Sequence, residues 1–131
     1  MPTRPRVLLV DDHPGMVKAL HRMLSIECDV IGTIADGREV AGAAAQAQPV
    51  VIVLDLNLPN ISGLDVCREV TRDNPRVKVI VITAMTDDAG MKAALAAGAS
   101  DFLDKAAAAD ELIVAIRRTW TELTSESLNE R

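Results

Sequence analysis

The hydrophobic positions of the chain form short continuous runs, separated by longer stretches in which apolar residues recur with a helical period. Three runs are almost entirely aliphatic and β-branched: Val7–Val10, Val50–Leu54 and Val79–Thr83. Continuous apolar runs of this length are typical of strands that are covered on both faces, as in a parallel sheet. Two weaker strands are predicted at Asp29–Ala35 and Asp101–Leu103.

The segments between these strands have the length and the pattern of helices. The clearest stripe is in Met16–Leu24, where positions 16, 17, 20, 23 and 24 share one helical face. Further helices are predicted at Arg38–Ala47, Leu64–Val70, Ala89–Ala97 and Ala109–Leu123. Gly98 follows the fourth helix, where a glycine commonly takes a left-handed conformation. Five alternating strand–helix pairs predict an α/β fold with a parallel sheet and right-handed crossovers.

Polar residues stand at the ends of four of the five predicted strands. Asp11 and Asp12 follow the first strand, Asp55 follows the third, Thr83 ends the fourth and Lys105 comes just after the fifth. Ligands of open parallel sheets bind at the carboxyl ends of the strands. We therefore expect these five side chains to share one edge of the sheet.

This combination of side chains favours phosphoryl chemistry at a cation site. Three carboxylates at one edge repel each other unless a cation lies among them. Oxygen ligands with room for water favour Mg²⁺. A lysine and a hydroxyl can pair with an incoming phosphoryl group, and a carboxylate can accept it as an acyl phosphate.

Taken singly, each of these residues also has a plainer interpretation. Asp11 and Asp12 stand where carboxylates often cap a helix N-terminus. Asp55 alone is compatible with a turn, Thr83 with a strand-end hydroxyl and Lys105 with a surface lysine. Only their coincidence at the strand ends favours a functional site.

Composition narrows the classes of function. The 131 residues are enough for one domain, and aromatic residues are only 2% of them, so the core must be aliphatic and a base-stacking surface is not expected. The net charge of −5 disfavours direct binding to nucleic acid. No apolar stretch approaches a membrane span or a signal peptide, so a cytoplasmic location is expected. Cys28 and Cys67 lack metal-ligand spacing and are expected to be buried free thiols in a reducing compartment.

Several motifs in order along the chain resemble the receiver domain of bacterial two-component response regulators, in the CheY-like superfamily. They are Val10-Asp-Asp-His-Pro14, Leu54-Asp-Leu-Asn-Leu-Pro59 with Gly63, Thr83-Ala84, Gly98-Ala99 and Phe102-Leu-Asp-Lys105. The first two are similar to the NarL/FixJ subgroup, whose members usually carry a C-terminal helix-turn-helix domain. The resemblance implies a flavodoxin-like (βα)5 three-layer sandwich with a five-stranded parallel sheet of order 2-1-3-4-5.

The resemblance also implies a phosphoacceptor and its metal ligands. Asp55 resembles the aspartate that takes a phosphoryl group from a kinase phosphohistidine. Asp11 and Asp12 resemble the acidic pair that holds Mg²⁺, one directly and one through water. The Asp55 carboxylate and the backbone carbonyl of Asn57 would be further ligands of the ion.

Three other residues would respond to the phosphoryl group. Lys105 would pair with its oxygens, Thr83 would move to hydrogen-bond it, and Phe102 occupies the position of an aromatic residue that swings inward. The family often has a tyrosine in place of Phe102, and a proline joined by a cis bond after the lysine, where this chain has Ala106. Met85, two residues past Thr83, is expected to affect the lifetime of the acyl phosphate, as is Asn57.

The expected function is a phosphorylation-controlled signalling switch that catalyses only its own phosphorylation and dephosphorylation. Two other classes remain open from the residues alone: a phosphate-independent interaction module of the same fold, and a haloacid-dehalogenase-like phosphatase. Such phosphatases typically need a second aspartate two residues after the nucleophile, where this chain has Asn57.

The receiver domain is predicted to span residues 6–123, after a short tail at 1–5 and before a polar tail or the start of a linker at 124–131. Its expected partners are a sensor histidine kinase or a phosphotransfer protein, with a second copy of the chain as a further candidate. Transcription would be controlled through an output domain that this sequence does not contain. The resemblance does not show whether the receiver stands alone.

Overall fold

The computed structural model describes residues 4–84 and 87–129, and for residues 107–109 and 125–129 it describes the backbone alone. Five strands and five α-helices alternate along this part of the chain. The strands are β1 (Arg6–Val10), β2 (Asp29–Ile34), β3 (Val51–Asp55), β4 (Lys78–Thr83) and β5 (Asp101–Asp104). The helices are α1 (Pro14–Leu24), α2 (Val40–Ala47), α3 (Gly63–Asp73), α4 (Asp88–Ala96) and α5 (Ala108–Asn129).

The strands form one parallel sheet in the order β2-β1-β3-β4-β5, which confirms the predicted topology. Every residue of β3 is buried, and so are nearly all residues of β1 and β4. The continuous apolar runs therefore belong to strands covered on both faces, as the pattern predicts.

Alternate side chains of the central strands enter two separate hydrophobic clusters, one on each face of the sheet. One cluster joins Leu8, Ile52 and Val81 to buried residues of α2, α3 and α4. The other joins Leu9 and Ile80, with further strand residues, to α1 and α5. The result is the predicted three-layer arrangement of helices, sheet and helices. Polar side chains lie at the carboxyl ends of the strands, outside the two hydrophobic clusters.

Two loops at the sheet edges depend on glycine. Gly98 has a φ of 106° directly after the cap residue of α4, and a Cβ there would lie 2.5 Å from Thr71 Oγ1. This confirms its predicted role at the end of the fourth helix. At Gly63 a Cβ would lie 2.5 Å from the Leu56 Cα, so only glycine lets α3 begin this close to the backbone that follows Asp55.

Some predicted boundaries are wrong. The second predicted helix begins as a 3₁₀ turn at Gly37–Glu39, where the Asp36 carboxylate accepts a hydrogen bond from the Arg38 backbone N–H. The last helix continues to Asn129, beyond the predicted end at Leu123. The segment after Leu123 contains no proline or glycine that would stop the helix, so it extends a helix that its apolar stripe has already anchored. A second 3₁₀ turn, Lys105–Ala107, joins β5 to α5.

Both cysteines are free and buried, as the sequence predicts. Burial raises the pKa of the Cys67 thiol from 9.0 to about 11. Since the thiolate is the reactive form, we expect alkylation of Cys67 at pH 8 to be at least about 100-fold slower in the native chain than in the unfolded chain. Iodoacetamide labelling followed by peptide mass analysis measures this ratio. Equal labelling in buffer and in guanidinium chloride would contradict the buried position of Cys67.

Candidate functional site

The carboxyl ends of β1, β3 and β5 bring charged side chains of opposite sign together at one edge of the sheet. Lys105 Nζ lies 2.9 Å from Asp55 Oδ2 and 3.0 Å from Asp11 Oδ2. Both carboxylate side chains are almost completely buried, at 1% and 2% exposed, whereas the Lys105 side chain keeps 15% exposure. Along the chain, Asp55 lies 44 positions after Asp11, and Lys105 lies 94 positions after it. The three side chains meet because parallel strands end at the same edge of the sheet.

Backbone groups also hold the two buried carboxylates in place. Asp11 Oδ1 accepts a hydrogen bond from the His13 backbone N–H at 2.8 Å, and Asp55 Oδ1 accepts one from the Asn57 backbone N–H at 3.1 Å. Lys105 donates to the other oxygen of Asp55. Each oxygen of Asp55 therefore has a fixed partner, which orients the carboxylate before any ligand arrives.

The lysine is charged in this setting. Burial alone would lower the pKa of Lys105, but the hydrogen bond to Asp55 and the attraction to the charges of Asp55 and Asp11 together outweigh it and raise the pKa above its ordinary value of 10.5. One ammonium group lies among the carboxylates of Asp11, Asp12 and Asp55. The site therefore keeps an excess of negative charge.

The residues present fit a divalent cation with oxygen ligands. Ligand atoms of Asp11, Asp12, Asp55 and His13 all lie within 4.8 Å of one another. Asp11 Oδ2 and Asp12 Oδ1 are buried and accept no hydrogen bond from any residue that the structure describes. Asp11 Oδ2 does lie in ion-pair contact with Lys105, but at an angle that makes no hydrogen bond. Buried carboxylate oxygens with unused lone pairs are the donors that Mg²⁺ takes.

The capping interpretation of Asp11 and Asp12 is wrong for α1. The cap residue of that helix is His13, and its side chain makes no capping hydrogen bond. Pro14 at the first helical position lacks an N–H, which leaves one donor fewer to satisfy. Neither carboxylate caps α1, so both can contribute oxygen atoms to a cation site.

Thr83 and Phe102 lie on the neighbouring strands. Thr83 ends β4, is 2% exposed and pairs in register with Asp104 of β5. Phe102 is half-buried, pairs with Val81 and packs against the cluster on the α2–α3–α4 side. Exposed Ala84 follows Thr83. Met85 lies outside the described residues.

The peptide bond after the lysine differs from the family pattern described above. No peptide bond is cis in residues 4–84 and 87–129, so Lys105–Ala106 is trans. The Asp104 carboxylate accepts a hydrogen bond from the Ala106 backbone N–H at 2.8 Å, which stabilises the turn without proline.

His13 is the member of this site to which the sequence assigned no role. Its side chain is 61% exposed, yet its Nδ1 lies 3.1 Å from Asp11 Oδ1 and 3.2 Å from Asp12 Oδ1. Lys105 Nζ lies 3.5 Å from the same nitrogen. The signal in the sequence was its spacing, because a residue two positions after a strand-end aspartate can fold back over that carboxylate.

Comparison with known proteins decides the family. The profile of the response regulator receiver domain matches residues 7–117, which is most of the chain. The chain belongs to the response regulator receiver domain family. The resemblance deduced from the motifs at the strand ends is therefore confirmed.

Relatives of this receiver domain are response regulators. Response regulator GacA of Pseudomonas protegens is 36% identical over 115 residues, which cover 86% of this chain and 54% of GacA. The DNA-binding response regulator MtrA of Mycolicibacterium smegmatis is 35% identical over 114 residues, which cover 87% of this chain and 50% of MtrA. The receiver domain thus spans about half the length of these curated relatives.

The fold is also similar to solved receiver domains. The crystal structure of a signal receiver domain from Vibrio parahaemolyticus superposes with a TM-score of 0.88 at 29% identity, and the match covers 98% of both chains. In the described parts of this receiver domain, no helix has the length and apolar character needed to cross a membrane.

Proposed function

We propose that this receiver domain accepts a phosphoryl group on Asp55 and thereby switches the surface that it presents to a partner. The observation that supports this function most directly is the contact of Lys105 Nζ with two buried carboxylates, those of Asp55 and Asp11. Phosphoryl transfer to aspartate requires a nucleophilic carboxylate, an ammonium group beside it and carboxylate oxygens that can hold a metal ion, and this site contains all three.

The metal site is part of the proposal. Asp11, Asp12 and Asp55, with the backbone carbonyl of Asn57, would hold Mg²⁺ at the sheet edge. When bound, the ion neutralises charge on the carboxylates and on the phosphoryl oxygens. The buried, unused oxygens of Asp11 and Asp12 support this assignment.

The transfer itself is a displacement at phosphorus. An oxygen of the Asp55 carboxylate attacks the phosphorus atom of a phosphohistidine, an acyl phosphate bond forms, and the bond from phosphorus to the histidine nitrogen breaks. The Asn57 backbone N–H and Lys105 hold the two carboxylate oxygens in a fixed orientation, so little reorganisation is needed. Lys105 then pairs with the phosphoryl oxygens instead of the carboxylate.

The switch follows from the new charge. Phosphorylation replaces a single negative charge with about two. The Thr83 hydroxyl, at the end of the adjacent strand, turns to donate a hydrogen bond to the phosphoryl group. Phe102, half-buried on β5, changes rotamer as Thr83 moves, and the faces of α4 and α5, which both contact β5, change with it.

The partners follow from the same chemistry. A sensor histidine kinase or a phosphotransfer protein supplies the phosphohistidine, and the altered face contacts an output domain or a second copy of the chain. Control of transcription is the output that the relatives favour, since MtrA is a DNA-binding response regulator. The phosphatase alternative is not favoured, because Asn57 has no acidic group to act on the leaving oxygen.

Beryllofluoride, which mimics a phosphoryl group on aspartate, tests the switch. We expect Mg²⁺ with beryllofluoride to shift the amide resonances of Asp55, Thr83 and Lys105, and also those of Phe102 and neighbouring α4 and α5. The Asp55→Asn variant should show none of the beryllofluoride-dependent shifts. Unchanged spectra of the wild-type chain would indicate a phosphate-independent interaction module instead.

A further inference from the structure

We propose that His13 adds a fourth side-chain ligand to the metal site when a first-row transition-metal dication such as Zn²⁺ binds, and that it thereby gives the site affinity for such ions. This inference rests on the proposed metal site. It adds an imidazole nitrogen to a set of oxygens that on its own favours hard cations such as Mg²⁺.

The position of the imidazole is the first observation. His13 Nδ1 lies 3.1 Å from Asp11 Oδ1, 3.2 Å from Asp12 Oδ1 and 3.8 Å from Asp55 Oδ2. A zinc ion with ligands at about 2.1 Å in tetrahedral geometry keeps neighbouring ligand atoms roughly 3.4 Å apart. The three distances from Nδ1 lie on either side of that value.

The state of the carboxylates is the second observation. The Asp11 side chain is 2% exposed, and its Oδ2 accepts no hydrogen bond from any described residue, although Lys105 lies 3.0 Å away. Asp12 Oδ1 likewise has no hydrogen bond among the described residues. Both oxygens therefore keep lone pairs that no hydrogen bond among the described residues uses, and a metal ion can take them.

The backbone fixes the histidine where it is. Its N–H donates to Asp11 Oδ1 at 2.8 Å, and Pro14 starts α1 immediately after it. The imidazole therefore approaches the carboxylates through Nδ1, while the side chain as a whole remains largely exposed to solvent. A nitrogen donor among carboxylates shifts preference from Mg²⁺, which takes oxygen ligands, towards Zn²⁺ and Co²⁺.

The test measures metal affinity in the full chain, with Zn²⁺ and Mg²⁺ as separate probes and calorimetry as the readout. We expect His13→Gln to weaken Zn²⁺ binding by at least about tenfold, the minimum usually seen when metal-site support is removed. Mg²⁺ affinity should stay within about twofold, because that ion takes oxygen ligands. Long-range NMR correlation of the imidazole should show Zn²⁺ bound at Nδ1 of His13 in the wild-type chain.

His21→Gln is the matched control, since the chain has two histidines and His21 lies on the exposed side of α1 with its Nδ1 near Ser25 Oγ. This variant should bind both ions as the wild-type chain does. The buried thiols of Cys28 and Cys67 do not compete for Zn²⁺ in the native fold.

The outcomes separate this inference from the proposed function. Equal Zn²⁺ affinity in His13→Gln and wild type, or no Zn²⁺ binding at all, would overturn the role of His13 while leaving Mg²⁺ binding intact. Loss of both ions in a folded His13→Gln variant would show a general structural role and would overturn the selectivity. A wild-type chain that binds Zn²⁺ but not Mg²⁺ would contradict the proposed function and not this inference.

Discussion

Replacing Lys105 with methionine is expected to lower the free energy of unfolding by about 3 kcal/mol at neutral pH without divalent cations. The physical reason is the burial of Asp11 and Asp55, whose side chains are 2% and 1% exposed and lose their nearest cation. The figure is at the lower end for a broken buried ion pair, because water reaches the lysine side chain, which is 15% exposed. Urea unfolding in the presence of a chelator measures the change.

The pH dependence of this contribution follows from the raised pKa of Lys105. A group whose pKa is higher in the folded chain stabilises it fully below the unfolded value of 10.5, and the contribution is lost as pH rises through the folded value. The difference between Lys105→Met and wild type should therefore be constant near neutrality and shrink only in strongly alkaline solution.

Two controls identify the electrostatic cause. Lys18→Met removes an exposed lysine of α1 and should change stability by no more than about 0.5 kcal/mol. Adding Asp55→Asn to Lys105→Met should recover part of the loss, because it removes one of the unpaired charges. If Lys105→Met is as stable as Lys18→Met, the lysine does not neutralise the carboxylates.

The double variant Asp11→Asn/Asp12→Asn should lose roughly 100-fold in Mg²⁺ affinity, at about tenfold for each carboxylate ligand. Both side chains have a buried oxygen that accepts no hydrogen bond among the described residues, so both can take a cation without losing a hydrogen bond. Titration calorimetry, or NMR titration of the site amides, gives the dissociation constants.

A matched variant separates ligation from a general charge effect. Asp29→Asn/Asp73→Asn removes two exposed carboxylates at the start of β2 and the end of α3, away from the site edge, and changes the net charge equally. It should bind Mg²⁺ within about twofold of wild type, as expected for screened surface charges. Equal weakening in the two double variants would argue against Asp11 and Asp12 as ligands.

The centre of the sheet could be predicted because its three central strands, β1, β3 and β4, are buried on both faces. A run such as Val51–Asp55 is compatible with few other environments, and each such run ends in the polar residue that marks the sheet edge. The boundaries were harder. The 3₁₀ turn at Gly37–Glu39 depends on a hydrogen bond from the Arg38 N–H to Asp36, and the end of α5 depends on polar residues that carry no apolar stripe. Neither the turn nor the helix end leaves a periodic pattern of hydrophobic residues in the sequence.

Some contacts of the candidate site could likewise be predicted from the sequence, and others could not. Parallel topology placed Asp11, Asp55 and Lys105 at one edge, so their meeting could be predicted from strand ends alone. The contacts of His13 were harder to predict, because its spacing from Asp11 only permits them and the turn between Asp11 and Pro14 directs the imidazole back over the carboxylates. A single histidine beside two aspartates is ordinarily exposed, and its exposure here gives no hint of its contacts.

The most direct test of the central claim is the intact mass of the chain after incubation with acetyl phosphate and Mg²⁺. We predict that the wild-type chain gains the mass of one phosphoryl group, and that neither the Asp55→Asn variant nor the wild-type chain in a chelator gains it. No adduct on the wild-type chain, with acetyl phosphate left unconsumed, would contradict phosphorylation of Asp55. An adduct that persists in Asp55→Asn would place the phosphoryl group on another residue and contradict the account equally.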